Sequence, residues 1–274
     1  MGEIIACANQ KGGVGKTTTV VNLGSYLALA GCHVLILDLD PLGNATSGLG
    51  VDRGGVTGST YDLLTLGGVI EELAVATAIP RLSVVPSSRD LAGLEIELVP
   101  VEDREYRLKH SSSSAASSYD YVLIDCPPSL GLLTLNALAA ADSALVPIQC
   151  EYYALEGLTQ LLSTIELVTR TLNPRLVLKG VVLTMFDGRT TLGTDVVAEV
   201  RQHLGGRVFD AVIPRSVRLA EAPGYGRPIA LYGPTSRGAE AYRALARELL
   251  ARDDSAATGP RPSTELAPSW VTTP

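Results

Sequence analysis

The chain has 274 residues, 46% of them hydrophobic, and a net charge of −7. Such a length can bury a sizeable core, and no uninterrupted apolar run approaches the roughly 20 residues of a membrane span. The acidic balance weighs against nucleic acid as a partner, yet the stretch from Arg170 to Arg252 holds twelve Arg and one Lys against seven acids, enough for a local basic face. The first strand signal begins within a few residues of Met1, which leaves no room for a signal peptide. Cys7, Cys32, Cys126 and Cys150 show no C-x-x-C spacing and read as buried free thiols of a reducing cytoplasm.

In chain order, Ile4-Ile5-Ala6-Cys7-Ala8 is a short, continuous apolar run of the kind a buried strand requires. A glycine-rich stretch follows, Lys11-Gly12-Gly13-Val14-Gly15-Lys16-Thr17-Thr18. From Lys16 to Ala30, Val20, Leu23, Leu27 and Ala30 recur at helical spacing, with Gly31 just past the end. His33 to Asp38 is a second strand, closing on Asp38-Leu39-Asp40-Pro41, and Leu82 to Val85 a third. Leu91 to Leu98 is helical and ends before Pro100. Tyr121 to Asp125 is an apolar run ending in a carboxylate, followed by Cys126-Pro127-Pro128. Further strands are expected at Ala144 to Ile148 and Leu176 to Thr184, with a weaker one from Val208 to Ile213. Helices are expected at Leu155 to Val168, Leu192 to Leu204 and Ala239 to Leu250. The serine-rich stretch 111–118 offers no apolar face and reads as a loop or a frayed helix end. Residues 253–274, rich in Pro, Ser and Thr, read as a disordered tail after a single domain of residues 1–252. Strands alternating with helices at this spacing indicate an α/β fold, a mostly parallel sheet covered on both faces.

Strand, glycine-rich turn and helix form the context of a phosphate loop. Glycines let the backbone N–H groups turn inward around an anion, and the first helical turn adds its positive dipole end. Lys16 is then placed for the β- and γ-phosphates and the Thr17 hydroxyl for Mg²⁺. Asp125, at the end of an apolar strand, matches the Walker B position, where a carboxylate holds the metal's water shell. Asp40, beyond the second strand, is positioned for the metal or the attacking water. The general pattern has glycine at position 10, where this chain has Gln10, and it lacks the second lysine found here as Lys11.

The variant Lys11-Gly12-Gly13-Val14-Gly15-Lys16-Thr17-Thr18 resembles the deviant Walker A loop of the ParA/MinD group, within the P-loop NTPase-like folds. Other stretches narrow the likeness to Soj-type ParA partition ATPases, from about Ile4 to Leu250. They are Asp38-Leu39-Asp40-Pro41 with 43–50, Tyr119 to Leu130, Gln149 to Leu158, and Val212-Ile213-Pro214-Arg215. The resemblance implies an Mg-ATP-dependent switch, slow in basal turnover. Its ATP-bound homodimer binds DNA without sequence preference and hydrolyses ATP when a ParB-type partner engages it. Such a protein is cytoplasmic, associated with the nucleoid and independent of the membrane. On that likeness Lys11 reaches the partner's nucleotide, Lys16 and Thr17 hold phosphate and metal, and Asp40 and Asp125 serve water and metal. Gly12, Gly13, Val14, Gly15 and Thr18 complete the cradle. Adenine falls to Pro214, Arg215 and Ser216, with Glu221 and Pro223 nearby, and DNA to Arg189 and Arg218.

The family usually has glutamine in place of Leu42 and asparagine in place of Ser216. From the residues alone, Arg189 and Arg218 could instead pair with nearby acids such as Asp187 or Glu221. A Min-type membrane-linked ATPase would carry a C-terminal amphipathic helix, whereas the last 22 residues hold four prolines and one arginine. An iron protein of the nitrogenase type would need cysteines bridging a cluster across a dimer, and Cys126 is poorly suited to that. A positioning ATPase with another cargo and a nucleotide-locked DNA-bound regulator stay open as alternatives.

Overall fold

The computed structural model describes residues 2–112, 115–151 and 154–258. The apolar runs form one seven-stranded sheet, from β1 (Glu3–Cys7), β2 (Val34–Asp38), β3 (Val75–Ala76) and β4 (Leu82–Val85) to β5 (Tyr121–Asp125), β6 (Ser143–Gln149) and β7 (Val177–Thr184). The spatial order is β3-β4-β2-β5-β1-β6-β7, and every pairing is parallel except that of the two-residue edge strand β3 with β4. Side chains alternate across the pleat, so each strand feeds two cores. Ile4, Ala6, Leu35, Leu37, Val122 and Ile124 join one cluster, while Ile5, Cys7, Val34, Ile36, Tyr121 and Leu123 join the other. Burial on both faces explains why these strands are continuously apolar in sequence.

The helices are α1 (Lys16–Leu29), α2 (Asn44–Gly48), α3 (Thr60–Thr65), α4 (Ile70–Leu73), α5 (Leu91–Glu97), α6 (Arg107–Ser112) and α7 (Ala115–Ser118) in the first half. The second half adds α8 (Leu132–Ala140), α9 (Ala154–Thr171), α10 (Thr191–Leu204), α11 (Val217–Glu221), α12 (Ile229–Tyr232) and α13 (Arg237–Thr258). On one face Leu23 and Leu27 of α1 pack with Tyr242, Leu245 and Leu249 of α13. The buried Tyr242 hydroxyl is partnered by Thr19 Oγ1 at 3.2 Å. On the other face Leu133 of α8, Leu161 and Ile165 of α9, and Val196 and Val200 of α10 close the second core.

Three sequence expectations need correction. Residues 208–213 form no strand. Phe209 N–H reaches the Val181 carbonyl at 2.9 Å and Ile213 N–H the Leu183 carbonyl at 2.8 Å. Between them the Asp210 and Ala211 amides turn away to the Glu248 carboxylate, at 2.9 and 3.0 Å, and that interrupts the ladder. The serine-rich stretch is helical where it is described: Ser111 ends its polar demand by donating to the Leu63 carbonyl at 2.9 Å, and Ser112 is buried. The last helix runs past residue 252 to Thr258, with Asp253 accepting the Tyr121 hydroxyl at 2.7 Å and pairing with Lys179, which also holds Glu3 at 2.5 Å. The rest of the expected tail, 259–274, and Tyr152-Tyr153 lie outside the described residues.

β1 lies between β5 and β6, the point at which the strand order reverses direction. In open parallel sheets a crevice forms there, outside the carboxyl ends of the strands. The ends of β1, β2, β5, β6 and β7 all face it.

Candidate nucleotide site

The turn from β1 to α1 is shaped by two glycines in left-handed backbone, Gly13 at φ 74° and Gly15 at φ 89°. Gly15 is also the N-cap of α1, so the loop runs straight into the helix's unpaired amides. Thr184, at the end of β7 and 2% exposed, braces the loop from behind. Its hydroxyl is shared between the Val14 carbonyl at 2.8 Å and the Ile148 carbonyl at 3.0 Å. Asn9 adds a second brace: its amide donates to the Pro147 carbonyl at 2.8 Å and its Oδ1 accepts Lys11 N–H at 3.0 Å. Gly12 approaches the ring of Pro128, and the Thr18 carbonyl accepts Asn22 Nδ2 at 2.7 Å. Lys16 is only 6% exposed and folds over the loop, with Nζ donating to the Lys11 carbonyl at 3.3 Å.

The pairing of β2 with β5 sets Asp38 opposite Asp125. Asp125 is fully buried, and among the described residues neither of its carboxylate oxygens has a hydrogen-bond partner. Burial, then the charge of Asp38, pushes its pKa well above the usual carboxylate range, against the opposing pull of Thr17 and Lys16. A buried carboxylate without donors is costly and is relieved by a cation. That is the fit expected of an Mg²⁺ site, with the Thr17 hydroxyl beside it. Asp38, by contrast, is committed to the protein. Its Oδ2 accepts Thr46 N–H at 2.8 Å and the Thr46 hydroxyl at 2.6 Å, and its Oδ1 accepts Asp40 N–H at 3.2 Å. Burial still lifts Asp38 to about 6. Asp40 lies beyond the sheet, 6% exposed, with Oδ1 accepting Leu42 N–H at 3.0 Å.

Lys11 stands at the mouth of the loop, 3.8 Å from Glu151, whose other oxygen lies 3.5 Å from Arg215. The 214–217 turn is held to the end of β7 by Arg215 N–H on the Phe186 carbonyl at 2.9 Å. Ser216 is the N-cap of α11 without a side-chain cap bond, Glu221 accepts the Tyr232 hydroxyl at 3.0 Å, and Pro223 lies against Gly48. Of these residues Arg215 is tied to the mouth of the loop, through the Glu151 carboxylate that it shares with Lys11. Arg189 is 88% exposed and paired through two nitrogens with Asp187, at 2.8 and 2.6 Å. Arg218 is exposed on α11, its stem against Gly233.

The sequence assigns no role to Thr184, Asn9 or Ser87, nor to Thr46 and Glu151, although these last two lie within the stretches that carry the family resemblance. Thr184 carried one usable signal, a hydroxyl ending an otherwise apolar parallel strand. The others hold the site through contacts distant in sequence, which spacing cannot reveal.

Residues 2–178 match the family model described as an AAA domain. The chain is 55% identical over 251 residues to the sporulation initiation inhibitor protein Soj of Bacillus subtilis, spanning 92% of this chain and 99% of that one. It is 54% identical over 253 residues to the chromosome partitioning protein ParA of Myxococcus xanthus, spanning 92% and 89%. Among solved structures, a cobyrinic acid a,c-diamide synthase from Mycobacterium smegmatis with bound ATP analogue and magnesium superposes with a TM-score of 0.82 at 38% identity, covering 96% of this chain and all of that one. Similarity of this degree over nearly the whole folded length settles the family: the chain belongs to the Soj/ParA chromosome-partitioning ATPases.

Proposed function

We propose that this chain partitions DNA by cycling between an ATP-bound homodimer on the nucleoid and a released monomer, with a ParB-type partner triggering hydrolysis. The observation that carries the nucleotide half is the bare, buried Asp125 carboxylate beside Lys16 at the foot of a braced glycine loop. Lys16 would hold the β- and γ-phosphates, and Thr17 and Asp125 would hold Mg²⁺ directly or through water. The metal, when bound, neutralises charge on the phosphate oxygens. Asp40 would orient the attacking water, a role that suits a carboxylate still able to accept bonds on one oxygen. Lys11, whose ammonium lies a long 3.8 Å from Glu151 in the single chain, would exchange that contact for the nucleotide of a second copy.

The DNA half rests on charge placement. A protein of net charge −7 meets a polyanion only through a local basic face, and a dimer doubles the arginines that one surface presents. Arg189 lies exposed on the loop after β7, and Arg218, expected on a loop, lies exposed in the first turn of α11, so phosphates can reach both. Phosphate contacts carry no base information, so binding is indifferent to sequence and weakens with salt.

Phosphate release, sedimentation and DNA binding test the cycle together. Lys16→Ala should lose ATP binding and with it dimerisation and DNA binding. Asp40→Ala should bind ATP, dimerise and hold DNA without turning over. Lys11→Ala should bind ATP as a monomer but fail to dimerise. Arg189→Glu with Arg218→Glu should abolish DNA binding and spare the dimer. DNA binding of equal strength without nucleotide would refute the cycle, and so would a fast basal rate that no cognate ParB-type partner raises.

A further inference from the structure

We infer that Arg53 is a positioning residue for ATP hydrolysis, its guanidinium clamping the turn that carries Asp40. β2 ends at Asp38, so Asp40 stands on irregular backbone that the sheet does not hold. The turn Asp40-Pro41-Leu42-Gly43 is closed internally by Gly43 N–H on the Asp40 carbonyl at 2.8 Å. Two side chains from elsewhere hold it externally. The Ser87 hydroxyl donates to the Asp40 carbonyl at 2.5 Å, and Arg53 Nη1 donates to the Pro41 carbonyl at 3.0 Å. Proline has no N–H, so its carbonyl is the one backbone polar group by which that residue can be held.

Gly43 shows how closely the clamp is fitted. Its φ is 66°, and a Cβ added there would lie 2.5 Å from Arg53 Nη1 and 2.7 Å from Cζ. The guanidinium thus lies against bare backbone, where any side chain would push it off. Arg53 is itself presented by a short 3₁₀ turn, Arg53–Gly55, whose N-cap Asp52 accepts Gly54 N–H at 3.0 Å. The anchoring runs from that cap through Arg53 to Pro41, and so to the residue before it, Asp40. Arg53 also lines an open cleft of about 820 Å³ together with Ser59, Tyr61, Ser87 and Arg89. Solutes can therefore reach the place the guanidinium occupies.

An aspartate aligned on a water is sensitive to its own placement, since a misplacement of about 1 Å can cost on the order of 100-fold in rate. Loss of the clamp should therefore lower kcat and spare ATP affinity, which depends on the loop across the crevice. The inference rests on the reading of Asp40 given above, and the experiment separates the two.

Full-length Arg53→Ala, Arg53→Lys and Asp40→Ala are compared with the wild type by single-turnover phosphate release, titration with a fluorescent ATP analogue, and thermal unfolding. Arg53→Ala should lose roughly tenfold or more in kcat while its ATP affinity stays within about twofold. Arg53→Lys should recover part of the rate, because an ammonium can still donate to the Pro41 carbonyl. Millimolar guanidinium should raise the rate of Arg53→Ala and leave that of the wild type unchanged. Wild-type turnover by Arg53→Ala beside an inactive Asp40→Ala would overturn the clamp alone, and wild-type turnover by Asp40→Ala would overturn the Asp40 assignment on which it rests. Parallel loss of rate, affinity and melting temperature, rescued by neither lysine nor guanidinium, would reduce Arg53 to a fold residue and overturn the proposal.

Discussion

Replacing Thr184 with valine removes one oxygen from behind the phosphate loop and nearly preserves shape. The hydroxyl is buried and serves the Val14 and Ile148 carbonyls, at 2.8 and 3.0 Å. Valine fills the same space, so no cavity term arises, and the loss is that of a donor to a buried acceptor. Leaving such an acceptor unsatisfied costs about 1–2 kcal/mol. For a domain of this size that corresponds to a fall of roughly 3–6 °C in melting temperature. The Val14 carbonyl belongs to the loop itself, so nucleotide affinity should fall as well. Thr184→Ser keeps the donor and loses a methyl group, so it should retain affinity with a smaller thermal loss. Thermal unfolding with and without nucleotide, and titration of both variants, give the answer. A valine variant with wild-type melting temperature and affinity would refute the brace, and so would losses in serine as large as those in valine, because serine keeps the donor.

Asp125→Asn removes a charge that burial disfavours, and should abolish Mg²⁺-dependent stabilisation by nucleotide along with turnover. The folded pKa of Asp125 is raised, so the wild-type chain loses that group's contribution as pH rises above the ordinary carboxylate range. The ligand-free asparagine variant should therefore gain on the wild type in melting temperature from pH 5 to pH 8 (a range of about 3 units), and a constant or shrinking difference would contradict the assignment. Asp187→Asn releases Arg189 from its two-pronged pair and deletes an anion, so DNA affinity of the ATP-bound form should rise several-fold at low salt, measured by anisotropy. Truncation after Arg252 removes Asp253 from Tyr121 and Lys179 and should lower the melting temperature by more than truncation after Thr258 does.

How much the sequence alone determined follows from the range of the interactions involved. The buried strands were readable because a parallel sheet covered on both faces demands unbroken apolar runs, and β4 and β5 fall on the expected residues, Leu82–Val85 and Tyr121–Asp125. The phosphate loop was readable because its chemistry lies within eight consecutive residues, where glycine conformations and a lysine do the work locally. Residues 208–213 resisted the same treatment: their pattern suits a strand, but Glu248, nearly forty positions away, takes two of the amides a ladder would use. Arg189 reads equally well as a phosphate ligand or as a partner of Asp187, and only folding shows that the free chain holds the pair. The support behind the site was decided by tertiary structure alone. Thr184 meets Val14 across 170 positions, Ser87 meets Asp40 across 47, and Arg53 meets Pro41 across 12. A hydroxyl or a guanidinium in a sequence does not disclose which distant carbonyl it will hold, because the sheet order that brings them together is set by the packing of both cores at once.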